Sequence, residues 1–363
     1  RNAHAQELYI AGQHAVLEKW VQETRSIKNI ESIAPALFLN YAKGLSFQGN
    51  GDQVLEIFQR IESIFRDQGD NQHLANLLIA KGVLLNTMGK HEEAYQIGKD
   101  ILQFLDQTPL DRFHDHPAQR LIGLSACQRG ELTEGLEWLN KAADGVTAIH
   151  EQETDGRFAH ELVQLHLDIG YYSRQNGDMY TTKTSYDEAV RIARQMSSHH
   201  GDLALAANNQ AYALYLAGEL KESWKKYALA LEAIRASGWQ GRIIYTLNGK
   251  GALLRDLGLL DEAEQEFEEA LSNKNYAHSL AALGESYLGL ADIARERGQF
   301  NKANALLREA AQAEKSSLKA TKYLIHQAYI WLSMGQKELA TGQLENAITA
   351  LEQKAYSIDR SRA

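Results

Sequence analysis

Cysteine is nearly absent from this chain: Cys127 is the single one in 363 residues. One thiol forms no internal disulfide and supplies no zinc quartet, so a disulfide-stapled secreted domain is excluded and a reducing, cytoplasmic setting is expected. Proline is scarce as well, with only three. Because proline concentrates at turns and strand edges, a long chain with so little of it is expected to be rich in helix. No run of about 18 apolar residues occurs, so no membrane span is expected. The opening Arg1-Asn2-Ala3-His4 is not a signal peptide. It also lacks Met, as expected of an excised fragment or a processed chain. Positive charge is in deficit, with 38 Lys and Arg against 47 Asp and Glu, a net charge of −9. That sign argues against direct nucleic-acid binding through the whole surface.

At 44% apolar and 23% charged residues, the composition is that of a globular protein. Glycine organises it. Gly12, Gly49, Gly89, Gly130, Gly177, Gly218, Gly258, Gly298 and Gly335 are spaced 37, 40, 41, 47, 41, 40, 40 and 37 residues apart. Each is followed by a short polar turn and an apolar-patterned helix, which marks an internal repeat. The clearest units run from Tyr245 to Asn273 and from Tyr287 to Glu314: a helix ending in glycine, a turn, then a second helix. Glycine suits that place because the residue just past a helix C-terminus adopts the left-handed conformation.

Five residues after the glycine a small side chain recurs: Ala94, Ser223, Ala263, Ala303, Ala340. Four later comes a larger one (Tyr227, Phe267, Leu307, Leu344), and three beyond that another alanine (Ala230, Ala270, Ala310, Ala347). Spacings of four and three share one helical face. The small residues let paired helices approach, and the large one fills the groove between neighbouring pairs. The expected fold is all-α, a right-handed α-solenoid of about nine antiparallel helix hairpins with a period of about 40. A single domain over 1–363 is expected, with capping hairpins at 1–48 and a C-terminal capping helix at 336–363. Gly335 rather than Gly342 is taken as the last turn. Thr108–Pro117 and Asp144–Asp155 read as loops.

These residues resemble the tetratricopeptide repeat, although the period of about 40 departs from its 34. The segment from Leu8 to Gly49, with Trp20 and Pro35-Ala36-Leu37, resembles the start of the helical sensor region of MalT-like, LuxR-type transcription regulators. That resemblance implies an ATPase domain before the superhelix and a helix-turn-helix after it.

Catalytic and metal motifs are absent. No GxxxxGK[ST] occurs, and Gly249-Lys250-Gly251 lies within a predicted helix. His160 and His166 are six residues apart, on different helical faces, whereas zinc-binding helices space their histidines by four. His114-Asp115-His116 and His199-His200 read as solvated turn residues. Cys127 reads as packing. Asp261, Glu262, Glu264, Glu266, Glu268 and Glu269 read as a solvated face. No enzymatic activity, cofactor or metal is expected.

What remains is the inner surface of the stack. By the tetratricopeptide resemblance, positions about 13, 10, 6 and 3 residues before each turn glycine point into it. They include Asn76, Asn86, Arg120, Gln164 and Glu285. The central candidates are Tyr171, Arg174, Asn208, Tyr212, Tyr215, Tyr245, Asn248, Arg255, Asp292 and Arg295. Amides give and accept hydrogen bonds, tyrosine offers a flat face with a polar tip, and guanidinium holds carboxylate or phosphate with two donors. Against binding stands the alternative of ion pairs between helices, Arg255 with Asp292 and Arg295 with Glu285. The function expected is a non-catalytic sensor module of a larger transcription regulator, binding a protein or peptide partner or a small-molecule effector. The alternative is a free-standing adaptor or peptide receptor.

Overall fold

The computed structural model describes Leu39, Ala42 and residues 51–108, 115–151, 158–196, 200–237, 242–274, 280–313 and 317–362. Gly12, Trp20, Pro35-Ala36-Leu37, Gly49, His114, His199 and the 1–48 hairpins thus lie outside the described residues, Leu39 and Ala42 excepted. The described residues form fifteen helices and no strand. The chain divides into two compact units, Arg1–Ser185 and Tyr186–Ala363.

In the first unit α1 (Gly51–Gln68) precedes the hairpins α2 (Asn71–Thr87) with α3 (His91–Gln107) and α4 (Asp115–Gln128) with α5 (Leu132–His150). Next come α6 (Ala159–Gln175) and α7 (Met179–Gln195), within which the unit boundary falls. The second unit continues with α8 (His200–Leu216) and α9 (Leu220–Ser237), then α10 (Ile243–Asp256) and α11 (Leu260–Ser272). It ends with α12 (Leu280–Glu296), α13 (Phe300–Ala313), α14 (Ser317–Ser333) and α15 (Lys337–Arg362). Both units are built from antiparallel hairpins, the all-α tetratricopeptide-like solenoid fold.

The hairpins share one closing geometry. Gly258 takes φ 77°, and the next residue, Leu259, donates its N–H to the carbonyl of Leu254 at 3.0 Å. This left-handed cap satisfies orphan carbonyls at the end of α10. The same bond recurs at Lys90, Glu131, Asp178, Glu219, Gln299 and Gln336, each following a glycine of the forty-residue series with positive φ. Gly335, at φ 77°, is the last turn, whereas Gly342 lies inside α15. Gly69, outside that series, makes a further turn of this kind, linking α1 to α2 at φ 65°.

The second-helix pattern forms the core. Ala94, Ser223, Ala263, Ala303 and Ala340 are fully buried, as are Ala230, Ala270 and Ala310. Between them Tyr227 and Phe267 are buried where the next hairpin offers glycine. A Cβ on Gly289 of α12 would lie within 2.2 Å of the Phe267 ring, and one on Gly249 of α10 within 2.5 Å of the Tyr227 hydroxyl. Aromatic ring and bare backbone are thus complementary across successive hairpins.

Several loop and surface expectations are corrected. α5 extends to His150, so the first half of the expected Asp144–Asp155 loop is helix, with Gly145 tolerated on an open face. α4 begins at Asp115, which places Pro117 in a first turn, where its missing N–H has no helical partner to lose. His116 is therefore no solvated turn residue. It is 3% exposed, with Nε2 2.9 Å from Glu161 Oε2 of α6.

Cys127 is buried, its Sγ occupying space that a side chain on Gly135 would need. Burial first, and the Asp168 carboxylate second, push its thiol up to about 12. A thiolate is the reactive form. The folded chain is thus expected to react only slowly with Ellman's reagent at pH 8, and stoichiometrically once guanidinium unfolds it. Rapid release of one equivalent from the native chain would contradict this packing.

Candidate functional site

In the second unit the first helices of four hairpins, α8, α10, α12 and α14, line a pocket of about 620 Å³. Its walls carry Asn208, Asn209 and Tyr212 from α8, Tyr245, Asn248 and Arg255 from α10, and Glu285 and Asp292 from α12. α14 adds Lys322, His326 and Tyr329, while Tyr227 and Phe267 of the second helices contribute their rings. Six of the ten residues singled out from the sequence are therefore brought together: Asn208, Tyr212, Tyr245, Asn248, Arg255 and Asp292. Tyr215 and Arg295 belong to the same helices outside the lining. Tyr171 and Arg174 lie in the first unit, where the Arg174 guanidinium stands 5.5 Å from the Tyr171 ring centroid.

The charged groups are joined in a chain. Asp292 is 8% exposed; its Oδ2 accepts from Arg255 Nη1 at 2.8 Å and its Oδ1 lies 3.0 Å from His326 Nδ1. Arg255 donates a second time to Asp256 Oδ1 at 2.9 Å, and Asp256 accepts the Tyr215 hydroxyl on its other oxygen. Burial, reinforced by Asp256, pushes that phenol up to about 12, so it stays a donor at neutral pH. Glu285 pairs with Lys322, not with Arg295 as the sequence alternative had it. Glu285 and Arg295 sit on the same helix ten residues apart, and Arg295 turns instead to Glu296 at 3.1 Å and toward Asp292 at 3.9 Å.

The amides divide in role. Asn248 donates to the Ala282 carbonyl at 2.7 Å and accepts from Ser286 Oγ at 2.7 Å. Both ends of its amide tie α10 to α12, so this residue positions helices. Asn208 differs: its Oδ1 is buried and accepts no hydrogen bond among the described residues. A buried acceptor left unmatched costs about 1–3 kcal/mol, which an N–H brought by a ligand would recover. Around it the rings of Tyr212, Tyr245 and Tyr329 are 42%, 38% and 49% exposed, flat apolar surface beside an amide.

Other residues read from the sequence make contacts away from this pocket. Arg120 donates to Asp168 at 2.7 Å, and Asn86 lies 2.8 Å from the His91 ring nitrogen. The acidic run of α11 is only partly a solvated face. Glu266 pairs with Lys250, and Glu264 with Arg297 and Lys302; the Glu264 carboxyl is held low chiefly by its hydrogen bond from Arg297. The Gly249-Lys250-Gly251 stretch lies within α10, its glycines making room for Tyr227 and Phe267.

Sequence reasoning missed Lys322 and Tyr329, which sit 13 and 6 residues before Gly335 and would follow from the same counting carried into the last hairpin. It also missed the position nine residues before each glycine, which gives Asn209, Gly249, Gly289 and His326, all in the lining. No group of three or more His, Cys, Asp or Glu among the described residues could hold a metal ion. No described helix is long and apolar enough to cross a membrane.

The family model of the tetratricopeptide repeat matches residues 244–275, the α10–α11 hairpin at the centre of the pocket. Tetratricopeptide repeat protein 36 of Xenopus tropicalis is 31% identical over 121 residues, 32% of this chain, and the chain spans 55% of that relative's length. Among solved structures, the apo form of the quorum sensor NprR from B. thuringiensis aligns over 96% of this chain and 97% of its own, with TM-score 0.68 and 14% identity. The Rap conjugation gene regulator of plasmid pLS20, in complex with the Phr* peptide, aligns over 89% and 95%, with TM-score 0.56 and 13% identity. At such identities the likeness is one of fold: a tetratricopeptide-like stack of helical hairpins.

Proposed function

We propose that this protein is a peptide receptor of the tetratricopeptide type, binding a short peptide segment of a partner in the second-unit pocket without chemical turnover. One observation carries the reading: a pocket of about 620 Å³ in which an unmatched buried amide oxygen, Asn208 Oδ1, stands among three half-exposed tyrosine rings. Backbone N–H groups of a peptide suit the amide, and its side chains suit the rings. The pocket's cations are already held by carboxylates, Arg255 by Asp292 and Asp256, Lys322 by Glu285. No strong field therefore draws a highly charged ligand such as a nucleic acid. The Phr* peptide bound by the pLS20 Rap regulator, and the quorum-sensor identity of NprR, support the same reading by fold analogy.

A second reading, the sensor region of a larger MalT-like regulator, is favoured by Trp20 and Pro35-Ala36-Leu37. ATPase and helix-turn-helix coding sequence beside that of this chain would be its test.

The peptide reading is tested by panning a library of short linear peptides against the full chain. Enriched peptides are expected to lose at least about tenfold in affinity, about 1.4 kcal/mol, on Asn208→Ala combined with Tyr245→Ala. Peptides that bind the double variant equally well, or no enrichment at all, would overturn it.

A further inference from the structure

We propose that the outer face of α15 is a docking surface for a partner's amphipathic helix, one whose aliphatic stripe is edged with lysine or arginine. The argument is positional. In α9 and α11, residues nine and thirteen places after the turn glycine face the following hairpin, and in α9 the sixteenth does as well. In α9 these are Tyr227, Leu231 and Ile234, at 1%, 4% and 1% exposure. Leu231 and Ile234 pack in one cluster with Ile243, Ile244 and Leu247 of α10. In α11, Phe267 and Leu271 pack with Leu290 and Ile293 of α12.

The same positions in α15 are Leu344, Ile348 and Leu351. Ile348 is 53% and Leu351 48% exposed, and no helix among the described residues covers them. The helix α15 turns outward the apolar positions that α9 and α11 bury, so its face continues an interface made twice already within the unit. What fits it is what fits α9: a helix with aliphatic residues at spacings of three and four.

Charge narrows the partner. At about 100° per residue, Glu345 and Glu352 lie about 60° and 40° to one side of Ile348. Both are exposed. On the other side of the stripe Ala340 and Ala347 are buried, at 0% and 2%. The single free edge is therefore acidic. A second copy packed antiparallel about Ile348 would bring the acidic edges of both chains to the same side, four carboxylates in a row. A basic-edged helix meets them with opposite charge, whereas an anionic membrane surface does not.

The test uses the full chain and a fluorescent, alanine-based helical peptide of about 18 residues, the length of the longer hairpin helices, with leucines at i, i+4 and i+7 and lysines along one flank. Anisotropy is expected to show saturable binding, weakened at least about tenfold by Ile348→Glu and weakened again when glutamate replaces the peptide's lysines. Ile348 is exposed, so the thermal melt of this variant should match wild type. Equal binding by wild type and Ile348→Glu, no binding by wild type, or a wild-type dimer that Ile348→Glu converts to monomer would each overturn the proposal.

Discussion

Phe267→Ala is expected to lower the stability of the chain by about 3–5 kcal/mol, the range for emptying a fully enclosed aromatic site. The ring is 2% exposed and reaches two hairpins at once. A Cβ on Gly251 of its own hairpin would lie 2.9 Å from it, and one on Gly289 of the next hairpin 2.2 Å. Bare backbone on both sides cannot move in to fill the space, so most of the cavity penalty is retained. At roughly 2–4 °C per kcal/mol for a unit of this size, the melting temperature should fall by about 10 °C. The ring also lines the pocket. Peptides selected on the wild-type chain should thus lose affinity for Phe267→Ala even below its melting temperature. Gly289→Ala checks the reverse sense, because it forces the ring out of place and should cost about 1–3 kcal/mol by overpacking. A Phe267→Ala chain that melts within about 2 °C of wild type would show that this joint is not the one holding successive hairpins together.

That joint explains why so much of the fold was legible. The glycine period, the alanines flanking it and the large residue between them are local signals, each dictated by backbone conformation or by close helix approach. They carry over from one hairpin to the next. The pocket was legible to the same extent, because counting back from a turn glycine says which side of a first helix a residue occupies. Counting does not say what a side chain does there. Asn208 and Asn248 hold the same repeat position, each with a buried hydroxyl in sequence register on the neighbouring helix, Thr246 and Ser286. Yet Asn248 ties two helices and Asn208 keeps an unmatched oxygen. Ion pairs were legible only in part. Arg255 with Asp292 follows from repeat register, but Glu285 takes Lys322 because α14 offers an ammonium where α12 itself offers nothing within reach. The half-buried Glu264 and Glu266 escaped notice for the same reason. Their partners Arg297, Lys302 and Lys250 are distant or unpatterned in sequence.

Asp292→Ala should be the most damaging polar change in the pocket, for stability and binding together. The carboxylate is shared by Arg255 at 2.8 Å and His326 at 3.0 Å, with side-chain exposures of 22%, 17% and 12% for Arg255, His326 and Asp292. Removing one partner of a fully buried pair costs about 3–5 kcal/mol. Here Asp256 still holds the guanidinium and solvent reaches part of it, which brings the expected loss to about 1–2 kcal/mol. The loss should depend on the arginine. In a double-mutant cycle, Asp292→Ala made on an Arg255→Gln background should cost distinctly less than on wild type, a coupling of about 1 kcal/mol. Strict additivity would mean that the pair is not formed in solution. The binding consequence separates two roles for the network. If its work is to hold α10, α12 and α14 at the spacing the peptide needs, Asp292→Asn, which keeps shape and one hydrogen bond, should restore more affinity than it restores stability. A peptide that bound Asp292→Ala as tightly as wild type would instead place the recognition surface on α8 and the tyrosine rings alone.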